Sequence, residues 1–198
     1  MLDGIGLKLA APRSRNEIRR DTYQLRLKLG MKYTEYFPIV HFVENVLPKI
    51  DTQFYLDVVD DNKLIGRHAE TIPAEHVIRI KQSVYDAAVN GFWWARSILA
   101  HEVGHYNYHN EQTVRYAKLD PFEKVPPDFD PERQANIFAA ELLVPIHLIH
   151  GLNKEQIGKK FGVSYEIAKR QISTGERIQK KQKYKKGKKK RLSKKPNR

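Results

Sequence analysis

At 198 residues with 40% hydrophobic content, the chain can bury one ordinary core, and its lack of cysteine excludes a disulfide framework and any thiolate metal site. That composition suits a reducing compartment and leaves histidine and carboxylate as the side chains able to hold a transition metal. The net charge of +13 is concentrated at one end: residues 176–198 hold 13 of the 36 Lys and Arg and one acid, while residues 1–175 carry 23 basic and 22 acidic side chains.

The first apolar run is interrupted by Asp3 and Lys8 and is too short for a signal sequence, and no stretch approaches a membrane span, so a cytoplasmic protein with no membrane partner is expected. Ser14 and Glu17 form a capping box, after which Ile18, Thr22, Leu25 and Leu29 recur at helical spacing until Gly30 ends the helix. Pro38 opens a second helix that runs to about Leu47, with Pro48 closing it. Alternation at Phe54, Leu56 and Val58 predicts a strand ended by the turn Asp60-Asp61-Asn62. Further strands are predicted at residues 76–80 and, along the edge of a cleft, at residues 66–71, followed by a helix over residues 82–90. A small sheet against helices is an α+β architecture.

Residues 92–109 contain no proline and put Trp94, Ile98, His101, His105 and Tyr108 on one helical stripe. Within it, His101-Glu102-Val103-Gly104-His105 places two imidazoles four residues apart, so both can reach one metal ion. Glu102, beside the first histidine, is placed to take a proton from water, which is how this spacing serves a metallopeptidase. A histidine pair on a core face can also be merely hydrogen-bonded, so a third ligand decides between the readings. Glu132 is the best candidate: Asp130-Pro131-Glu132 reads as N-cap, first and second residue of a helix running to Val144, where the helix dipole favours the carboxylate anion. Asn136, one turn on, can orient a ligand histidine from behind. Glu141 is the rival ligand, although nine residues beyond Glu132 it points to nearly the opposite side.

His109, His147 and His150 read as surface or cap residues, and His68 and Glu70 as an exposed polar loop, with His68, Tyr106 and Tyr108 left open as stabilisers of a transition state. Residues 110–129, with Pro121, Pro126 and Pro127, read as an irregular cleft wall or lid.

HEVGH followed by ERQANIFAAELLVP resembles the paired signature of the ImmA/IrrE metallopeptidases, HExxH followed by a helix of the form ExxANxFAxxLLxP. PRSRNEIRRDTYQLRLKLG, YFPIVHFVENVLP and the segments from HAETIP to VYDAAVNG are also similar to the family, so the resemblance covers about residues 12 to 145. It implies metal ligands at His101, His105 and Glu132, a catalytic glutamate at Glu102, a zincin-like fold of the gluzincin kind, and zinc as cofactor, with another divalent metal such as manganese as the alternative. It also implies a helix-turn-helix transcriptional repressor as the protein substrate, cleaved to relieve repression. NGFWWARS departs from the more polar approach to the motif helix that the family has, so the rim of the site is expected to differ.

The zinc metallopeptidase domain is expected over residues 1–150. Residues 151–175 resemble a helix-turn-helix: a short helix to Phe161, a turn at Gly162-Val163-Ser164 and a second helix from Glu166 to Ile172. A complete module needs a third helix, for which residues 146–152 are the candidate; packing onto the peptidase domain is the other role of this pair. Residues 176–198, with Tyr184 and Leu192 almost the only large apolar side chains, are expected to be a disordered basic tail able to touch nucleic acid without sequence preference. Two rival functions are a non-catalytic DNA-associated regulator with a structural metal site, which an intact Glu102 disfavours, and a toxin-antitoxin or phage-immunity partner.

Overall fold

In the computed structural model, which describes residues 7–109, 114–117 and 125–192, the capping box closes as its residue types require: the Ser14 hydroxyl caps the backbone N–H of Glu17, and the Glu17 carboxylate accepts from the Ser14 N–H. Helix α1 (Arg15–Lys28) follows, burying Ile18 and Thr22, and Gly30 turns the chain at φ 70°. Strand β1 (Leu7–Ala10) precedes it.

The second helical run does not stop at Pro48. It comprises α2 (Ile39–His41), a wide π turn (Phe42–Val46) and α3 (Leu47–Ile50), with Leu47 N–H bonded to Phe42 O. Proline lacks an N–H and its ring crowds the carbonyl four residues back; a wider turn ahead of it accommodates both, so the helix continues to Ile50.

Strands β2 (Tyr55–Val59), β3 (Ala69–Ile72) and β4 (Val77–Lys81) form a sheet in the order β2-β4-β3. Strand β2 runs parallel to β4 in the register Tyr55 opposite Val77, and β3 runs antiparallel to it with Thr71 opposite Ile78. Val77, Ile78 and Ile80 are buried, which seats β4 on the core and leaves β3 at the edge. Helix α4 (Gln82–Val89) leads to α5 (Trp93–Tyr108), which packs on β3 and, most extensively, on α6 (Pro131–Leu143).

The α5–α6 crossing is tight for an identifiable reason. A methyl on Gly104 would stand 3.0 Å from Ala135 Cα and 3.2 Å from its carbonyl oxygen, so the glycine inside the histidine motif sets how near the helices come. Leu99, Ala100 and Val103 from α5 meet Phe138 and Leu142 from α6 in the same core as Ile18, Ile78 and Ile80.

The region expected to be an irregular loop contains strand β5 (Val114–Ala117), which pairs antiparallel with β1, and a 3-10 turn at Pro127–Phe129; residues 110–113 and 118–124 lie outside the described ones.

Helices α7 (Lys154–Phe161) and α8 (Tyr165–Leu192) flank the predicted turn, where Gly162 takes φ 62°. Of a third helix at residues 146–152 there is only a 3-10 turn, Ile146–Leu148. Ile157, Phe161, Val163 and Ala168 belong to the common core. The buried Arg96 of α5 donates to the Phe161, Gly162 and Phe37 carbonyls at 3.2, 3.0 and 2.8 Å, and the buried Gln171 of α8 donates to Val144 O at 2.7 Å, capping the end of α6. The two helices are therefore docked on the elements that carry the motif.

The basic segment departs from the expected disorder. From Glu176 to Leu192 it continues α8, because Lys, Arg and Gln are good helix formers and extending a helix already nucleated by packed turns costs far less than starting one. No helix among the described residues is long and apolar enough to cross a membrane.

Candidate metal centre

Helix α5 supplies His101 and His105 one turn apart, and the first turn of α6 supplies Glu132. Asp130 caps α6 by accepting from the Glu132 and Arg133 N–H groups, and Pro131 fills the first helical position at no hydrogen-bond cost. The close approach at Gly104 then delivers the carboxylate: Glu132 Oε2 lies 3.3 Å from His101 Nε2, and Oε1 lies 3.3 Å from His105 Nε2. The two Nε2 atoms are 2.9 Å apart, and all three donor groups lie within 4.8 Å of one another. Hydrogen bonds from the two imidazoles hold the Glu132 carboxyl well below the usual carboxylate range, the anionic form a metal ligand needs. For His101 burial acts to lower the pKa, but Glu132, Glu102 and Asn136 outweigh it and the net shift is upward.

Both histidines are held from behind. Asn136 Oδ1 lies 3.2 Å from His101 Nδ1. A longer chain stands behind His105: the Gln134 amide nitrogen donates to the carbonyls of Ala11 and Asp128, both at 2.8 Å, which turns its Oε1 toward His109 Nε2 at 3.1 Å. His109 Nε2 must then carry the proton, its Nδ1 is the acceptor, and His105 Nδ1, 2.9 Å away, is the donor. By the same logic His101 donates from Nδ1 to Asn136. Both Nδ1 atoms are therefore held from behind, which leaves each Nε2, the nitrogen turned toward Glu132, as the one that would face a metal ion once its proton is displaced. Burial above all lowers the His109 pKa to about 4, so this imidazole is neutral, as the chain of hydrogen bonds demands.

Glu102 is buried at 8% exposure and points to the sheet side. The Thr71 hydroxyl on β3 lies 2.7 Å from its Oε2 and 3.0 Å from its carbonyl oxygen, anchoring one carboxylate oxygen and leaving the other for chemistry. His68, Ala69, Ser97, Ile98, His101, Glu102 and Asn136 line a cavity of about 320 Å³ beside it. The donor set, the tautomers and the adjacent base all fit a divalent transition metal.

The other candidates separate cleanly. Glu141 is buried against Arg19, at 2.8 and 3.1 Å, far round the helix from Glu132, and is no ligand. Tyr106 is turned away, its hydroxyl 2.5 Å from Asp51 Oδ2, and Tyr108 reaches Asp21 at 3.1 Å, so of the three transition-state candidates only His68 lines the cavity. Glu70 pairs with Arg67 and Arg79, and His147 reaches Lys32 O at 2.8 Å. His109 is the correction: expected at the surface, it is buried behind His105. Its place at the third step of a four-residue ladder, 101, 105, 109, was the signal. Thr71 and Gln134 carried none, since their roles arise from strand pairing and from the α6 crossing.

Residues 95–173 match the family profile described as the IrrE N-terminal-like domain. No curated protein matches the sequence significantly. Among solved structures the chain is similar to one titled "Mycobacterium tuberculosis transcriptional regulator", at 15% identity and a TM-score of 0.48, over 78% of this chain and 46% of that one, so it spans about half of that protein's length. The histidine motif and the helix that carries Glu132 both lie inside the matched residues, so residues 95–173 carry an IrrE N-terminal-like domain.

Proposed function

We propose that the protein is a zinc-dependent endopeptidase, and the observation that carries this reading is a base built beside a ligand set: Glu102, buried and anchored by Thr71, stands next to the converging His101, His105 and Glu132. A structural metal site has no use for such a base. An ion held by those three residues would supply Lewis-acid polarisation of the scissile carbonyl and an acidified water. Glu102 takes the proton of the attacking water on its open oxygen and returns it to the departing amide nitrogen, while the Thr71 hydrogen bond keeps the carboxylate aimed through both transfers. Asn136 and the Gln134–His109 pair keep the two imidazoles in the binding tautomer and free of other rotamers.

Strand β3 has no partner on its outer edge among the described residues, and Thr71 lies on it. An extended substrate segment pairs its backbone there and passes Glu102. Folded helix cannot enter that register, so cleavage falls in linkers or locally unfolding segments. The family resemblance points to a helix-turn-helix repressor as the substrate and, with a cysteine-free chain, to action in the cytoplasm.

The test pairs the chain with candidate repressors in the wild-type and Glu102→Gln forms, with metal content measured on the same samples. Glu102→Gln should retain one metal per chain and lose cleavage by on the order of 10²- to 10⁴-fold, because the amide cannot accept the proton. Cleavage by the variant at the wild-type rate would overturn the reading.

A further inference from the structure

A groove larger than the cavity beside Glu102 lies away from the metal centre. It lies between α1 and α8, has a volume of about 920 Å³, and is lined along one wall by Arg15, Arg19 and Arg20 and along the other by Arg177, Lys181 and Lys185. Arg133, next in sequence to the ligand Glu132, closes one end. We infer that this groove binds nucleic acid through the sugar–phosphate backbone, independently of the peptidase reading.

Three features carry the inference. First, the charge is not balanced from within. The groove's one acid, Glu141, has a side chain with no exposure and is already engaged by Arg19 at 2.8 Å, with Arg15 3.9 Å away. Arg133 is tied to Asp128 at 2.9 Å, and Arg20 reaches Asp21 only at 4.0 Å. Arg177, Lys181 and Lys185 make no ion pair among the described residues, and Arg15 lies within the repulsive field of Arg19, Arg133 and Arg177. Like charges gathered this way oppose folding unless an anion enters between them.

Second, the cations form rows. Arg177, Lys181 and Lys185 recur every fourth residue on one face of α8, spanning about 12 Å at 1.5 Å per residue. Arg15 and Arg19 repeat the same step on α1. A single small anion would meet one end of such a groove; a phosphodiester strand, with one charge per about 3.4 Å, meets the whole row. Third, the row points into the rest of the basic segment, where Lys186, Lys188, Lys189, Lys190 and Arg191 follow in sequence. Only a polymer charged at every unit matches so long a run, whereas an acidic protein segment carries its charges intermittently. The large exposed apolar side chains needed to enter a membrane are missing from the groove lining, and the Tyr23 ring there is occupied by His147, so the contact reads backbone charge and not base identity.

The experiment measures binding of a labelled mixed-sequence duplex by fluorescence anisotropy across a salt titration, using the full chain. One variant carries Arg177→Gln, Lys181→Gln and Lys185→Gln; a second removes the same charge from the opposite face of α8 by Lys169→Gln, Lys180→Gln and Lys183→Gln. Glutamine is a good helix former, so both retain the helix, which circular dichroism checks. The groove variant should bind at least tenfold more weakly with a salt slope reduced by about 2 to 3, and the outer-face variant should stay within about threefold of wild type. Equal losses in the two variants would reduce the effect to net charge and overturn the groove. Displacement of the duplex by polyglutamate of matched charge, or by anionic vesicles, as effective as displacement by unlabelled DNA would overturn the assignment to nucleic acid.

Discussion

The α5–α6 crossing and the α1–α8 groove both concentrate charged and polar side chains, and they dispose of them in opposite ways. At the crossing each one has a partner inside the protein: His101 has Asn136, His105 has His109, His109 has Gln134, and Glu102 has Thr71. Polar groups withdrawn from water must be paired, and pairing fixes their direction, so the crossing is a rigid site that dictates where a ligand's atoms go. In the groove, Arg177, Lys181 and Lys185 are exposed and lack acidic partners among the described residues, so the surface selects for charge and leaves geometry free. One region fixes the direction of its polar groups, the other gathers unpaired charge at the surface.

That contrast breaks most visibly, after loss of Glu102 itself, through the hydrogen bonds behind His105. His109→Ala or Gln134→Ala should each weaken metal binding by about 10- to 100-fold, measured by competition with a chromophoric chelator. Because the two act in series, the double variant should fall little further than the worse single one; fully additive losses would mean that His109 and Gln134 do not work as one chain.

Gly104→Ala tests whether the crossing needs its closeness. The added methyl meets backbone of Ala135 and not a flexible tip, so α5 and α6 must separate, at a cost of about 1–3 kcal/mol and several degrees in melting temperature. Metal affinity should drop with it, since Glu132 rides on the displaced helix. A variant that melts like wild type would show that the two helices have slack.

A third polar cluster ties the sheet to α5: Asp51 accepts from Tyr106 and from His76, at 2.5 and 2.7 Å. Those hydrogen bonds lower the Asp51 pKa from 3.8 to about 2. A carboxyl depressed on folding contributes stability that is complete above its ordinary pKa and disappears as pH falls from about 4 toward 2. Thermal melts at pH 5, 3 and 2 should therefore show a steeper acid loss for wild type than for Asp51→Asn; parallel curves would contradict this.

The smallest effect belongs to the groove. Arg177→Gln removes a cation that has no acidic partner among the described residues, so stability should stay within about 0.5 kcal/mol of wild type, shifting upward at low salt as repulsion is relieved. A clear destabilisation would place Arg177 among the internally paired groups and erase the distinction between the two regions.

Local chemistry alone determined much of this protein. The capping box at Ser14, the N-cap at Asp130 with Pro131 behind it, and the fourfold spacing of His101 and His105 each act within one or two turns of chain, so they could be read before any tertiary contact was known. The position of Glu132 as a third candidate donor followed from its place in a capped first turn. What needed the folded chain were the contacts made across elements. Thr71 meets Glu102 because β3 pairs with β4 beside α5; Gln134 turns to His109 because Ala11 and Asp128 hold its amide; Pro48 is absorbed by a π turn. The groove is the same kind of product: its two facing walls, on α1 and α8, stand more than 150 residues apart in sequence and become one charged surface only when α8, anchored by Gln171, is laid along α1. Spacing along a helix is written in the chain, but the partner across a crossing is chosen by how closely two backbones approach.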